Sequence, residues 1–359
     1  MTYDRYFDFD PAAGPSMPQF VFVDEDSITV FAGRRLLRAD FEGTLRWGET
    51  HSGTPVAAAS GSDNYAVLFD TSSPANPTEA RFCMVGKDGG TDTSACPLFE
   101  SRYRPGLAWD GTSYWMYGRI DDATMYMKTY DPTGAEVADT HLPSWWVGGR
   151  GGGTPFPVDD KIIMLSPAGR PGTGCDAAWL DEIPRTLDPT AHVQRDLLPA
   201  DFTADTNWAE ATSGRRTAWL YWAWCRLTPP WADPYYVPCQ RNWPNTATLF
   251  LALVDGNGQT VEPAPRCIPS AGYRLTNMVW DGAQFAYLTQ AGPRDLEVST
   301  FDEDGNPLAW SARPSLISDQ GPEILQARLA AVGPNDYIVV YTIQSTGAMW
   351  IARFSLVPL

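Results

Sequence analysis

The sequence has few basic side chains and no long apolar run. Lysine and arginine together number 26 against 43 aspartate and glutamate residues, which gives a formal net charge of −17 over 359 residues. Because this acidic balance repels phosphate backbones and anionic lipid head groups, we expect neither nucleic acid nor a membrane surface as a partner. No stretch approaches the roughly 18 apolar residues of a membrane span, so no span is predicted.

Metal-binding and targeting motifs are also scarce. No Cys-x-x-Cys pair suggests a zinc ribbon or a redox motif, and the first 20 residues lack the basic start and apolar run of a signal peptide. Two locations stay open: extracytoplasmic or secreted, if a signal has been removed, and cytoplasmic. The six cysteines suit disulfides in an oxidising compartment, with buried free thiols as the alternative. The candidate pairs are Cys83–Cys96 and Cys225–Cys239, which leave Cys175 and Cys267.

Linkers, charge runs and windows for a long helix are absent as well. Thirty-one glycines and 31 prolines are spread along the whole chain, a pattern typical of short strands and tight turns. Hydrophobic residues make up 43% and charged residues only 19%, as in a globular protein. We therefore predict one all-β domain over residues 1–359 and a monomer.

An internal repeat is the strongest feature of the sequence. Residues 107–137 align without a gap on residues 278–308, and Trp109-Asp110-Gly111 then matches Trp280-Asp281-Gly282 at an offset of 171 residues. Such self-similarity indicates a repeat architecture.

A recurring turn divides the chain into repeats. The Asp-x-x-Gly copies lie at residues 40–43, 131–134, 255–258 and 302–305, with looser copies at 87–89 and 187–191. Aspartate accepts hydrogen bonds from the turn backbone and glycine supplies positive φ, so each copy predicts a hairpin between the third and fourth strands of a propeller blade. The last repeat lacks a fourth strand, and the run at residues 3–9 is available to supply it. We predict a seven-bladed β-propeller closed by pairing the N-terminal strand with the C-terminal blade.

The Trp-Asp-Gly-x-x-Tyr/Phe strand start and the Asp-x-x-Gly turn resemble bacterial repeat proteins of the β-propeller superfamily. The resemblance covers nearly the whole chain and is architectural: it implies the fold, and it implies no catalytic motif. Many such proteins are exported. Propellers include lectins, lyases, hydrolases, dehydrogenases and scaffolds, so the fold alone leaves the function open.

A long aromatic insertion is the first candidate for a ligand site. Residues 224–246 form a predicted connection between the second and third strands of the fifth blade, where the strands of a blade are lettered a to d in chain order. This connection between strands b and c is longer than any turn needs. Rigid aromatic surfaces with nearby arginine bind sugars, cations or peptide side chains. The alternative is a lid whose aromatic residues pack on neighbouring blades. The predicted ligand contacts here are Trp231, Tyr235, Tyr236 and Trp243.

Further candidates lie on the connections that lead from the last strand of one blade to the first strand of the next. In a propeller, these connections and the b–c loops emerge on the same face, which usually carries the ligand site. The predicted contacts on them are Arg104, Trp146, Arg150, Asp205, Trp208, Arg274 and Glu323.

We therefore predict a ligand-binding propeller for a carbohydrate or another small polar-aromatic ligand. The first alternative is a lyase or hydrolase that uses Asp205 or Glu210, together with a divalent cation if one is needed. The second is a protein-interaction scaffold. No Gly-x-Ser-x-Gly, no His-Glu-x-x-His and no carboxylate pair of defined spacing is present, so catalytic residues are not assigned and no metal site is predicted.

Overall fold

A computed structural model shows seven small antiparallel sheets arranged as a seven-bladed β-propeller, which confirms the predicted fold class and blade count. Among the described residues, the helical structure is a 3-10 turn at Pro189–Ala191, and no helix there is long and apolar enough to cross a membrane. Strands are numbered β1–β27 in chain order. The structure describes residues 3–7, 17–51, 53–71, 79–90, 96–100, 105–119, 124–143, 154–169, 176–197, 202–225, 248–261, 266–268, 274–290, 292–308 and 323–356.

The chain divides into two compact units, and the prediction of one domain over residues 1–359 stays a prediction. The first unit holds Met1–Pro55, Asp88–Gly90 and Ala271–Leu359 and contains blades one, six and seven. Blade one consists of β2 (Pro18–Val23), β3 (Ser27–Ala32), β4 (Arg35–Asp40) and β5 (Leu45–Thr50). Blade six contains β22 (Arg274–Trp280), β23 (Phe285–Gln290) and β24 (Leu296–Phe301). Blade seven consists of β25 (Ile324–Gly333), β26 (Asp336–Ile343), β27 (Met349–Ser355) and β1 (Tyr3–Phe7).

The second unit holds Val56–Lys87 and Thr91–Ser270 and contains the strands of blades two to five. Blade two consists of β6 (Thr54–Ser60), β7 (Asn64–Asp70), β8 (Glu79–Gly86) and β9 (Leu98–Glu100). Blade three consists of β10 (Gly106–Trp109), β11 (Tyr114–Arg119), β12 (Thr124–Tyr130) and β13 (Glu136–Pro143). Blade four consists of β14 (Phe156–Val158), β15 (Lys161–Gly169), β16 (Asp176–Pro184) and β17 (Val193–Asp196). Blade five consists of β18 (Phe202–Thr212), β19 (Arg216–Cys225), β20 (Thr248–Asp255) and β21 (Arg266–Ile268).

The N-terminal strand closes the C-terminal blade. The order within blade seven is β1-β27-β26-β25, and the antiparallel register runs from Tyr3 opposite Arg353 to Phe7 opposite Met349. β27 therefore has a partner on both sides, which removes a bare sheet edge at this strand. This pairing confirms the predicted closure for Tyr3–Phe7, and residues 8 and 9 of the predicted strand lie outside the described residues.

The repeated turns have the predicted geometry. In the copy at residues 131–134, the amide of Gly134 donates to the carbonyl of Asp131 at 2.9 Å, and Gly134 has φ of 86°. The Asp131 carboxylate accepts the amides of Thr133 and Ala135 at 2.8 and 3.0 Å. The copy at residues 302–305 has the same pattern, so this turn chemistry ends strand c of blades three and six at a defined residue.

Strand b is buried on both faces, which explains its unbroken apolar run. In β26, Tyr337 and Val339 belong to one cluster with Leu288 of blade six, whereas Ile338 belongs to another cluster with Ile28 of blade one. Because successive side chains alternate across a strand, blade seven packs against blade six with one face and against blade one with the other. Alternating apolar side chains form clusters within the second unit as well.

A disulfide joins strand c of blade two to the segment before its outer strand. Cys83 and Cys96 are bridged and both are buried, as the sequence predicted for this pair. The 13-residue separation corresponds to roughly 3 kcal/mol in the chain-entropy model. The pairings of Cys175, Cys225, Cys239 and Cys267 stay predictions, because their side chains lie outside the described residues.

Candidate functional site

The strand bounds of blade five place a long connection where the sequence predicted one. β19 ends at Cys225 and β20 begins at Thr248, so 22 residues join strands b and c of this blade. The same connection in blade one is two residues, Gly33 and Arg34, between β3 and β4. In blade seven five residues separate β26 from β27. Residues 226–247 themselves lie outside the described residues.

The connection leaves blade five from an extended two-stranded ribbon. β18 and β19 pair from Thr212 opposite Thr217 to Phe202 opposite Cys225, two positions beyond the last pair of β19 with β20. The register shifts between Ala204 and Trp208, so Asp205 lies in a bulge of the inner strand. Bulges of this kind are common beside active sites and redirect side chains. The backbone of the two predicted contacts, Asp205 and Trp208, therefore lies on the ribbon from which the insertion emerges.

In the first unit, the b–c loops lie at the end where the inner strands begin. We call this end of blades one, six and seven the entry end. The amide of Ile324, which opens β25, donates to the carbonyl of Pro293 in the b–c loop of blade six at 2.7 Å. The amide of Gln344 in the b–c loop of blade seven donates to the carbonyl of Glu323 at 2.7 Å. In blades six and seven, the b–c loops therefore lie at the same end as the connections that lead into the inner strands, as the sequence predicted.

Two of the predicted contacts lie at this entry end. Glu323 precedes β25, is about half exposed, and its carboxylate is 4.0 Å from the guanidinium of Arg294. Arg274 is the first residue of β22. A surface pair at this distance contributes little to stability, and the role of Glu323 as a ligand contact stays a prediction.

The inner strands of the first unit are all bulged close to the entry end. The register shifts between Pro18 and Phe20 in blade one, between Leu275 and Asn277 in blade six, and between Ile324 and Gln326 in blade seven. In blades one and six the residue inside the shift, Gln19 or Thr276, has no residue opposite it in the register, so its carbonyl lies outside the regular ladder.

The two aspartates of the internal repeat stabilise contacts between blades. Asp110 accepts the turn amide of Ser113 with one carboxylate oxygen and, with the other, the guanidinium of Arg185 in blade four at 2.8 Å. Turn and side-chain hydrogen bonds to Asp110 lower the pKa of its carboxyl, although burial opposes them as the largest single influence. Asp281 repeats the pattern: one oxygen accepts turn amides and the other accepts from Asn335 and Tyr337 of blade seven.

Glu210, an acid in the enzyme alternative, also has structural partners. One carboxylate oxygen accepts the amide of Thr154 at 2.6 Å and the other accepts the indole of Trp219 at 3.2 Å. A carboxylate held by fixed donors on both oxygens is poorly suited to transfer a proton to a substrate. This geometry weakens the enzyme alternative where Glu210 is concerned.

Blade four contains two further buried acids with different partners. Asp181 is 1% exposed, and its Oδ1 contacts Nε2 of His192 and accepts from Nε2 of Gln194, both at 2.9 Å. Glu182 accepts from Lys161 at 3.0 Å and from Arg195. Both acids join strand c to its neighbours. Within the described part of the chain, no group of three or more His, Cys, Asp and Glu side chains is placed to hold a metal ion.

The predicted contacts divide by how much of them the structure describes. Glu323 is described in full, and Asp205, Trp208 and Arg274 are described as strand backbone. The remaining contacts lie outside the described residues: Arg104, Trp146, Arg150, Trp231, Tyr235, Tyr236 and Trp243. The structure therefore neither brings these seven together nor separates them, and their roles stay predictions.

The sequence analysis missed the polar residues of the inner strands at the entry end. Asn277, Gln326 and Arg328 bond to the backbone of neighbouring inner strands. Polar side chains inside an apolar strand pattern, as in Gln326-Ala-Arg328, are the signal that points to such a role.

No protein-family model matches the chain, and no curated protein matches it in sequence. Solved structures do match it. The WD40 domain of Neurospora crassa Pan2 is 10% identical with a TM-score of 0.53, over 95% of this chain and 90% of that one. The β-propeller domain of the trilobed protease from Pyrococcus furiosus is 8% identical with a TM-score of 0.52, over 95% of each chain.

BBS1N, solved in complex with ARL6DN, is 12% identical with a TM-score of 0.51, over 98% of this chain and 94% of that one. The chain is a β-propeller. At these identities the matches show the fold alone.

Proposed function

We propose that this chain is a ligand-binding β-propeller whose aromatic insertion in blade five binds a carbohydrate or another small polar-aromatic ligand without covalent chemistry. The observation that carries the proposal is the 22-residue connection between β19 and β20, in a fold whose other described hairpins are short. Long loops on rigid scaffolds tend to be functional. The insertion is rich in tryptophan and tyrosine, which offer flat surfaces to sugar rings.

The hydrogen bonds that these acids accept support a binding role over a catalytic one. Asp110, Asp281 and Glu210 all accept hydrogen bonds that join strands or blades. These carboxylates have structural partners and are not presented to a substrate. Arg274 and Glu323, at the entry end of the first unit, remain proposed ligand contacts.

An extracytoplasmic or secreted location fits the same proposal. The Cys83–Cys96 disulfide supports it, because such bonds persist in oxidising compartments and are rare in the cytosol. Thiol titration of the denatured protein, purified with thiols blocked at lysis, would count the cysteines that are oxidised. Two free thiols or fewer would support all of the predicted pairs, whereas six free thiols would contradict the proposed location.

The test is ligand binding by variants of the insertion. Fluorescently labelled protein on a printed glycan array should give a defined set of positive glycans, and Trp231→Ala or Trp243→Ala should weaken binding to them by about 1–3 kcal/mol. The melting temperature should stay at the wild-type value, because the proposal assigns these side chains to ligand contact and not to the packing of the blades.

Trp109→Ala is the matched control. The rings of Trp109 and Tyr114 pack in a tilted arrangement with centroids 4.5 Å apart within blade three, so the loss of Trp109 should lower the melting temperature and leave glycan binding unchanged. If neither insertion variant alters binding, or if both unfold the protein, the insertion is a packing element and the proposal is wrong. A protein partner captured with no glycan bound would favour the scaffold alternative.

A further inference from the structure

Side chains of the inner strand of blade seven bond the inner strands on both sides of it. Gln326 Nε2 donates to the carbonyl of Pro18 in blade one at 3.0 Å. Arg328 Nε donates to the carbonyl of Gln19 in blade one at 3.0 Å, and Arg328 Nη1 donates to the carbonyl of Thr276 in blade six at 3.1 Å. One guanidinium therefore links three blades of the first unit.

The two acceptors occupy equivalent places in their strands. Gln19 is the residue without a cross-strand partner in the bulge of β2, and Thr276 is the residue without one in the bulge of β22. Because a bulge interrupts the regular ladder of hydrogen bonds, it bends the strand, and fewer cross-strand bonds hold the backbone there. Arg328 supplies a donor to the bulge carbonyl of each neighbour.

We propose that Arg328 is a positioning residue that fixes the entry end of blades one and six by bonding their bulge carbonyls, and so sets the position of Arg274, two residues before Thr276. The inference rests on the proposed function only in taking Arg274 as a ligand contact. The structural part of the inference, that one side chain fixes both bulges, depends only on the hydrogen bonds of Arg328.

The chemistry of arginine explains why this residue type is required. The planar guanidinium presents donors in a rigid fork, so Nε and Nη1 are directed to two acceptors on two strands at once. A lysine ammonium is a single point on a flexible stem and does not reproduce the fork. We therefore expect Arg328→Lys to fail although it keeps the charge.

Hydrogen exchange with mass spectrometry tests the structural part on the full chain. In Arg328→Met and Arg328→Lys, amides of residues 19–23 and 275–280 should exchange about tenfold faster than in the wild type, the scale of losing one or two hydrogen bonds. Amides of residues 338–341, in the core strand of blade seven, should keep their wild-type rates, because the effect is local.

Arg353→Met is the matched control. Arg353 is a partly buried arginine of the same blade that lies on β27, the third strand, and pairs with Asp336 at 2.6 Å. Its loss should leave the exchange of both bulges unchanged. If Arg328→Met also leaves them unchanged, or if Arg328→Lys matches the wild type, the proposed positioning by the fork is overturned. Faster exchange throughout the chain would assign Arg328 a general structural role instead and would equally overturn it.

The glycan array used for the insertion variants tests the link to Arg274. If Arg328 acts through Arg274, Arg328→Lys and Arg274→Ala should each reduce the array signal, and the double variant should be no weaker than Arg274→Ala alone. Additive losses would overturn the link. A wild-type protein that binds no glycan would refute the carbohydrate form of the proposed function, whereas the exchange experiment would still decide the role of Arg328.

Discussion

Replacing Asp281 by alanine should destabilise the protein by several kcal/mol, although Asp281 lies in a hairpin turn. Its side chain is 5% exposed and accepts four hydrogen bonds. The amides of Ala283 and Gln284 donate to Oδ1, both at 2.8 Å. The amide of Asn335 at 2.9 Å and the hydroxyl of Tyr337 donate to Oδ2 from blade seven. Asp281→Ala therefore removes the partners of two donors in its own turn and two in the next blade.

The size of the effect follows from the burial of these donors. A buried donor left without a partner costs about 1–3 kcal/mol. Tyr337 is fully buried, and burial, together with its bond to Asp281, raises the pKa of its hydroxyl strongly, so water does not readily replace the carboxylate. Counting the two donors of blade seven, we expect about 4 kcal/mol. With a specific unfolding entropy of about 2.1 cal/mol/K for each of 359 residues, this lowers the melting temperature by about 5 °C if the chain unfolds in one transition.

Calorimetry of three variants would check this estimate. Asp131→Ala is the matched control, because Asp131 accepts hydrogen bonds from Thr133 and Ala135 of its own turn in an exposed position. It should lower the melting temperature by only about 1–2 °C, the scale of one lost cap. Tyr337→Phe removes one of the two donors from blade seven, so its shift in melting temperature should lie between those of Asp281→Ala and Asp131→Ala. The reasoning is refuted if Asp281→Ala and Asp131→Ala give equal shifts.

Three further predictions concern closure, protonation and the disulfide. Deleting residues 1–10 removes β1 from β27, so the truncated chain should aggregate or melt well below the parent in light scattering and calorimetry. Burial lowers the pKa of His51 below its usual 6.5 and outweighs the opposing influence of Glu49, so the folded state disfavours the charged ring. Stability should thus fall as the pH drops through about 6.5, and His51→Gln should flatten the melting temperature between pH 7.5 and 5.5. Cys83→Ser with Cys96→Ser should cost roughly 3 kcal/mol in denaturant unfolding, and an unchanged midpoint would contradict the bridge.

Turn chemistry explains how far the fold could be predicted from the sequence. In the Asp-x-x-Gly copies, the aspartate bonds amides two and four residues ahead and the glycine has positive φ. Because every partner lies within five residues, the pattern can be read without knowing the fold. The absence of a fourth strand after Phe354 then pointed to residues 3–9 as the missing partner, and the structure pairs Tyr3–Phe7 of this run with β27.

Contacts between blades could not be predicted in the same way. Asp110 and Asp281 were recognised as turn residues, but the second oxygen of Asp110 bonds Arg185, which is 75 residues away. The bulges of the inner strands also depend on the fold, since a shift of register leaves no local motif. Arg328 was missed for this reason: its acceptors in β2 lie 309 residues before it.

The candidate site shows the same division. Strand bounds could be anticipated from apolar runs and turns, so the insertion was located to within two residues of its described ends at Cys225 and Thr248. Which side chains meet there depends on the path of 22 residues that form no repeat. The aromatic contacts are therefore named from composition and position, and Trp231 and Trp243 need the binding experiment.

A repeated frame restricts where ligand recognition can evolve. Asp110 and Asp281 occupy equivalent turns yet bond different partners, a guanidinium in one copy and a backbone amide with a phenol in the other. Each acid is required by the adjoining blade, so a substitution that served a ligand would cost stability there. The repeated fold does not require a connection as long as the one between β19 and β20, because other blades join the same strands with far fewer residues. The repeated fold therefore sets fewer requirements on the residues of this connection, which is why we propose ligand binding for the insertion and stability for the turns.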